Sequence, residues 1–255
     1  MVSYGPEQRV YVPELRADWL TQTSVHWAYS PDQVQRLLPD GLAVDTFDGS
    51  AWVSLTPFVM AGVRPPGFRT ALRPFAETNL RTYVRGPDGR DGLWFLSLEV
   101  ATPVMLAARA VGMPYHLGRL RLNRHAGGLE YTGARRGGRP RYRLAVRPGE
   151  PIRPSRRDVW LTSRWRAYTR RCGVLWETPV EHAPWPLREA HVDVVEESLV
   201  RAAGLPAPTD APLVHFSDGV REVRLGVSHP IRSARAHPAG PRAPVAHRTA
   251  GGKRP

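Results

Sequence analysis

Glu77-Thr78-Asn79-Leu80-Arg81-Thr82-Tyr83 reads with a period of two. On a strand, Glu77, Asn79, Arg81 and Tyr83 share one face, and Thr78, Leu80 and Thr82 take the other. Toward solvent such a polar face is ordinary. Toward the interior of a closed sheet it is costly unless the groups pair or bind something. There, a Glu/Arg set would suit a carboxylate or carbonyl ligand, because the guanidinium fork matches carboxylate geometry. Periodicity alone leaves both readings open.

The flanking sequence continues in strands. Residues 78–85 and 92–100 border the turn-rich Gly86-Pro87-Asp88-Gly89-Arg90-Asp91. Residues 42–47 and 50–60 read as strands joined around Asp48-Gly49, a hairpin signal. Residues 19–29 form an earlier strand. Ser30-Pro31-Asp32-Gln33 opens a helix toward Leu38, with Ser30 as N-cap and Gln33 at the capping-box position. Ala, Leu and Met predict a short helix over 102–111, and strands come next at 115–123, 129–134 and 140–147. Aromatic and β-branched stretches recur at 159–169, 173–182 and 190–195. A helix near 196–203 and strands at 213–217 and 220–227 complete the pattern. About ten closely spaced strands with few helices predict a mainly β (α+β) fold, a curved antiparallel barrel. Residues 1–17 read as a lead-in and 18–228 as one domain. Residues 229–255, rich in Pro, Ala, Gly and Arg, read as a disordered basic tail.

The formal charge of +13 is uneven. Residues 119–171 hold 16 Arg against Glu130, Glu150 and Asp158, whereas 1–118 and 172–229 sum to −1 and −5. In Arg141-Tyr142-Arg143-Leu144-Ala145-Val146-Arg147 the arginines alternate with apolar residues, the pattern of a sheet with one wet face. Arg119 and Arg121 alternate with Leu120 and Leu122 in the same way. No helix-turn-helix, zinc-finger or aromatic RNA-binding signature accompanies them, so no specific nucleic-acid partner is expected. No apolar run suits a membrane helix and no secretory leader is visible, so a cytoplasmic protein is expected. Of the 36 basic residues only Lys253 is lysine, and it lies in the tail. Schiff-base catalysis by a desolvated lysine therefore has no candidate in the domain.

Gly112-Met113-Pro114-Tyr115-His116 marks a sharp helix-to-strand junction that delivers Tyr115 and His116 at a strand start. Tyr can donate a hydrogen bond and His can exchange protons near neutral pH. A packed tyrosine beside a satisfied imidazole is the plainer alternative. The other histidines have no metal-ligand spacing, and no metal or cofactor is expected. His26, between Val25 and Trp27, reads as structural. Cys172 reads as a packing residue in a strand-like run. No G-x-S-x-G, Walker or G-x-G-x-x-G pattern is present.

Phrases spread over residues 18–226 resemble the YqjF-like bacterial family of unknown function. They include Ser24-Val25-His26-Trp27, Leu37-Leu38-Pro39-Asp40-Gly41-Leu42, Asn79-Leu80-Arg81-Thr82-Tyr83-Val84, Leu161-Thr162-Ser163-Arg164-Trp165 and Glu181-His182-Ala183-Pro184-Trp185. The family is similar in fold to acetoacetate decarboxylase, which implies a strongly curved barrel around a ligand cavity. In those decarboxylases a G-F-P-K-K stretch supplies the Schiff-base lysine. Here Gly112-Met113-Pro114-Tyr115-His116 stands in its place, with Tyr115 at the nucleophile position. The resemblance thus implies the pocket and not the covalent mechanism, and it favours inward-facing Glu77 and Arg81.

The expectation is a barrel that binds a small organic acid or carbonyl compound. Arg81, Asn79 and Tyr83 would hold the ligand. The alternative is a non-covalent lyase or isomerase with Glu77, Tyr115 and His116 as its acid–base groups. A polyanion-binding or scaffolding protein is the third reading, and a homo-oligomer is left open.

Overall fold

The computed structural model describes residues 2–64, 67 and 69–231. Thirteen strands form one sheet: β1 (Pro13–Tyr29), β2 (Ala43–Val44), β3 (Ala51–Arg64), β4 (Phe75–Arg85), β5 (Asp91–Val100), β6 (Tyr115–His125), β7 (Gly128–Arg135), β8 (Arg141–Pro151), β9 (Arg166–Arg171), β10 (Val174–Glu181), β11 (Leu187–Glu197), β12 (Leu213–Gly226) and β13 (His229–Pro230). Helices α1 (Pro31–Gln35), α2 (Arg156–Thr162) and α3 (Leu199–Ala202) and a 3₁₀ helix, Pro103–Val111, complete the fold.

The pairings close two rings. Nine strands, β1-β3-β4-β5-β6-β7-β8-β11-β12, return on themselves as a barrel. A second circuit of seven, β1-β3-β4-β5-β9-β10-β12, closes through two short seams. One seam is parallel, Leu93↔Ala167 and Trp94↔Tyr168, and the other antiparallel, Val180↔Leu225 and Glu181↔Arg224. Five strands, β12-β1-β3-β4-β5, therefore form a wall shared by both rings. A wall strand is covered on both faces, which is why β4 is buried almost throughout, polar residues included.

The nine-strand ring holds an apolar core. Val25, Trp27, Leu55 and Leu80 from the wall pack against Tyr131, Tyr142, Leu144 and Val146 opposite. The outer face of β6–β8 carries the alternating arginines to solvent, several in surface ion pairs. Arg143 Nε meets Glu130 at 2.7 Å, and Arg147 grips both carboxylate oxygens of Asp193 at 2.7–2.8 Å.

Several expectations need correction. Residues 159–169 are not one strand. α2 runs through Thr162, capped by Ser155, whose hydroxyl accepts from the Asp158 amide while Asp158 accepts from the Ser155 amide. The Asp48-Gly49 turn forms with both residues at positive φ, yet it closes only a Phe47↔Ser50 bridge, and β2 pairs with β4 instead of β3. Residues 213–226 are one strand, irregular at Glu222. Gly219 allows it, because a Cβ there would lie 2.2 Å from the Trp19 carbonyl of β1. Cys172 is an exposed turn residue at positive φ between β9 and β10, not a packing residue. His229 and Pro230 pair with β10, and the rest of the basic tail from residue 232 lies outside the described residues.

Candidate functional site

The seven-strand ring encloses a cavity of about 110 Å³. At roughly 10–15 Å³ for each water-sized group, it has room for about ten non-hydrogen atoms. Its lower-polarity wall is Trp19, Phe58, Met60, Phe95, Leu98 and Trp185; its polar lining is Gln22, Glu77, Asn79, Arg81, Tyr115, Arg164, Arg166 and His182. The alternation of β4 explains the split. Glu77, Asn79 and Arg81 point into the cavity, while Leu80 joins the opposite core and Thr78 Oγ1 meets Tyr142 Oη at 2.5 Å.

Glu77 is 2% exposed. Its two oxygens each lie 3.2 Å from the Tyr115 hydroxyl, which donates its single proton between them. Burial pushes the Glu77 carboxyl up to about 8, against the smaller opposing effect of the Tyr115 hydrogen bond. Burial and then Glu77 push the Tyr115 phenol well above its usual range. Tyr115 reaches this position because β6 starts parallel to β5, Leu98↔Tyr115, one strand from Glu77↔Val100. The predicted junction is real. Gly112 ends the 3₁₀ helix at φ 84°, where a Cβ would strike the Arg170 carbonyl at 2.6 Å.

Three guanidinium groups border the cavity. Arg164 is held by Asp45 at 2.9 Å and Asp91 at 2.7 Å, with its planar head 4.4 Å from the Trp160 ring. Arg166 pairs with Glu7 and Glu177 and donates to the Asp91 carbonyl at 2.7 Å. Arg81 differs. It is 7% exposed and no carboxylate among the described residues lies within 4.0 Å of it, although an unpartnered nitrogen is common to all three, Arg81 Nε, Arg164 Nη2 and Arg166 Nε. Burial, partly offset by Tyr83, lowers its pKa. Asn79 Oδ1, on the same face, is also buried without a partner.

Tyr83 continues this face beyond the cavity lining. Its hydroxyl is 2.7 Å from the Leu161 carbonyl and 2.7 Å from Ser54 Oγ. From there Ser54 Oγ reaches His26 Nδ1 (2.6 Å), His26 Nε2 reaches His215 Nδ1 (3.1 Å), and His215 Nε2 reaches Asp158 Oδ1 (3.0 Å). A carbonyl only accepts, so the phenol proton belongs to Leu161, Ser54 donates to Tyr83, and His26 Nδ1–H donates to Ser54. Every contact is a hydrogen bond when His215 carries both ring protons against the Asp158 carboxylate and His26 is neutral. Burial, then His215, hold His26 well below the usual imidazole range. His26 is thus one link of a buried hydrogen-bond chain that ends on Tyr83.

His116 does not join the cavity. One residue after Tyr115, it takes the other face of β6 beside the Arg135–Glu99 pair, where burial and then Arg135 lower its pKa. Of the sequence candidates, the structure unites Glu77, Asn79, Arg81 and Tyr115, places Tyr83 next to them and separates His116. Sequence reasoning missed Arg164, Arg166 and His182. Their acidic partners lie 73 or more residues away for Arg164, so no local spacing announces them. The described residues contain no lysine, and no cluster of their His, Cys, Asp and Glu side chains could hold a metal ion. No helix among them is long and apolar enough to cross a membrane.

A strongly curved mixed barrel with a polar interior is the architecture of acetoacetate decarboxylase-like proteins, and solved structures of that class match this chain. An acetoacetate decarboxylase-like enzyme from Sphingomonas wittichii RW1 superposes with a TM-score of 0.60 at 18% identity, covering 89% of this chain and 96% of its own. The enduracididine biosynthesis enzyme MppR complexed with pyruvate gives 0.59 at 16%, covering 88% and 93%. The chain belongs to the DUF2071 family, described as an uncharacterized conserved protein, whose pattern spans residues 16–221. It is similar to the uncharacterized protein YqjF of Bacillus subtilis (strain 168), 28% identical over 227 residues, 83% of this chain and 92% of that protein.

Proposed function

We propose that the seven-strand ring binds a small organic anion, its carboxylate seated on Arg81. The observation that carries this reading is Arg81 itself, a buried guanidinium facing a cavity with no carboxylate to neutralise it. A buried charge normally has a partner. Arg164 and Arg166, on the same cavity, both have theirs. A ligand carboxylate would complete the set, and a fold neighbour solved in complex with pyruvate, a small oxo acid, supports the reading. Tyr115 at the position of the decarboxylase lysine argues against covalent attachment, since a phenol forms no iminium.

The test is native mass spectrometry of freshly purified protein, then denaturing release of any bound molecule. A stoichiometric small acid, lost in Arg81→Gln, is the expected result. Charge-assisted hydrogen bonds contribute about 1.5–3 kcal/mol, so Arg81→Gln should weaken binding of a defined anion roughly 10- to 100-fold. Unchanged affinity for that anion in Arg81→Gln would overturn the assignment.

A second reading, a lysine-independent lyase or isomerase, is favoured by Glu77. A carboxyl that titrates near 8 is a proton donor at neutral pH, aligned by the Tyr115 hydroxyl. Turnover of the released ligand by wild type, abolished in Glu77→Gln with binding retained, would distinguish the enzyme from the binder.

A further inference from the structure

His182 comes directly after β10 and lines the cavity, 5% exposed; its phrase Glu181–Trp185 carries the family resemblance, but nothing in it assigned the imidazole a role. Its Nδ1 lies 2.6 Å from the Ala183 carbonyl. A carbonyl oxygen cannot donate, so Nδ1 carries the proton, and the remaining nitrogen, Nε2, presents a lone pair. Nε2 has no hydrogen-bond partner among the described residues. The ring is wedged among Trp165 at 4.7 Å, Trp185 at 5.1 Å and Trp19 at 5.5 Å between centroids. Trp19 and Trp185 meet it edge-on and Trp165 at a tilt, so it cannot turn away without unpacking them. With Nδ1 tied to the backbone, the Nε2 edge is what the imidazole offers to the cavity.

We infer that His182 Nε2 is the acceptor for a ligand hydroxyl, so that the anion held at Arg81 is a hydroxy acid and not its oxo counterpart. This rests on the Arg81 reading and narrows it. An oxo group facing Nε2 would set lone pair against lone pair, whereas a hydroxyl supplies the missing proton. An ammonium is a poorer donor here. The neighbouring carboxylates Asp45, Asp91 and Glu177 are already engaged by arginines, and Glu77 is protonated at neutral pH. Burial first, and then Arg81, lower the His182 pKa to about 4, keeping the acceptor unprotonated across the neutral range. The apolar wall of Trp19, Phe58 and Trp185 would pack the carbon skeleton.

Two measurements on the full chain test this. In the first, ¹⁵N NMR of the unliganded protein at pH 7 should show His182 as the Nδ1–H tautomer with Nε2 unprotonated. A protonated Nε2 overturns the inference. In the second, calorimetric titration compares matched acids: lactate, pyruvate and propionate, then 3-hydroxybutyrate, acetoacetate and butyrate. The hydroxy member of a set should bind at least about tenfold tighter than its oxo and deoxy partners. His182→Phe should erase that preference, and His182→Gln, which keeps an acceptor, should restore part of it. Binding that depends on Arg81 but ignores the hydroxyl sinks the His182 inference alone. No binding by any of these acids, or binding indifferent to Arg81→Gln, sinks the anion reading and this one with it.

Discussion

The two rings share a five-stranded wall, and the wall's two faces have opposite fates. On one side Leu80 is sealed in a close-packed apolar core; one residue on, Arg81 faces a cavity with no carboxylate partner among the described residues. Both side chains are buried, so burial alone does not separate structure from function. The difference is satisfaction. The nine-strand ring pairs polar groups, as Thr78 does with Tyr142, while the seven-strand ring leaves Arg81 Nε and Asn79 Oδ1 buried without partners. The first ring carries stability, and the second spends some of it.

The largest effect that would separate the two faces is a pH dependence. The Glu77 carboxyl is raised in the fold to about 8, so its contribution to stability is full below the unfolded value near 4.5 and is lost as pH rises through 8. The rise from 4.5 to about 8 corresponds to ~5 kcal/mol. Denaturant unfolding from pH 5 to 9 should therefore show Glu77→Gln lacking this decline and exceeding wild type at pH 9. His182 acts in the opposite direction. Its pKa is depressed to about 4, so its contribution is present above 6.5 and lost as pH falls through 4. His182→Phe should flatten the acid side of the same curve. A Glu77→Gln profile parallel to wild type would mean that the carboxyl is not desolvated.

Next in size is Leu80→Ala, expected to cost about 2–5 kcal/mol by opening a void in the core while leaving affinity for a small acid nearly intact in the folded fraction. Arg81→Ala should do the reverse. Removing an unpaired buried charge should cost little stability by chemical denaturation, and anion affinity should fall. If Arg81→Ala unfolds the chain as Leu80→Ala does, Arg81 is a structural residue and the contrast collapses. Smallest of all is the outer face of β6–β8. Arg143→Gln removes a solvated pairing with Glu130, and its melting temperature should be indistinguishable from wild type.

Strands, turns and the overall barrel were legible because alternation and turn residues are local signals. Glu77, Asn79, Arg81 and Tyr115 were legible as candidates for the same reason. Periodicity could not reveal that both faces of β4 would be covered, since the covering strands β9 and β10 begin 81 residues after Arg85 ends β4. His116 fell on the wrong face because the strand starts at Tyr115, and a single position reverses the side chain's direction. Arg164 lies in a phrase that carries the family resemblance, but neither it nor Arg166 has a local pattern that points inward. α2 ends at Thr162, and the inward course of the next few residues depends on carboxylates from distant segments of the chain.

The two short seams of the seven-strand ring have a mechanical consequence. The β9–β10 hairpin meets β5 and β12 through two residue pairs each and the short β13 through two more, whereas β1 runs beside β12 and β3 for most of its length. Swinging the wall would tear the core, whereas releasing the hairpin would break short seams, a few side-chain bonds such as Arg171 Nε to the Val111 carbonyl, and the arginine pairs at its base. With one stiff side and one lightly held side, the cavity is expected to open at the hairpin. Backbone amides of residues 166–181 are therefore expected to exchange with deuterium sooner than those of 77–84, and to slow when the cavity fills.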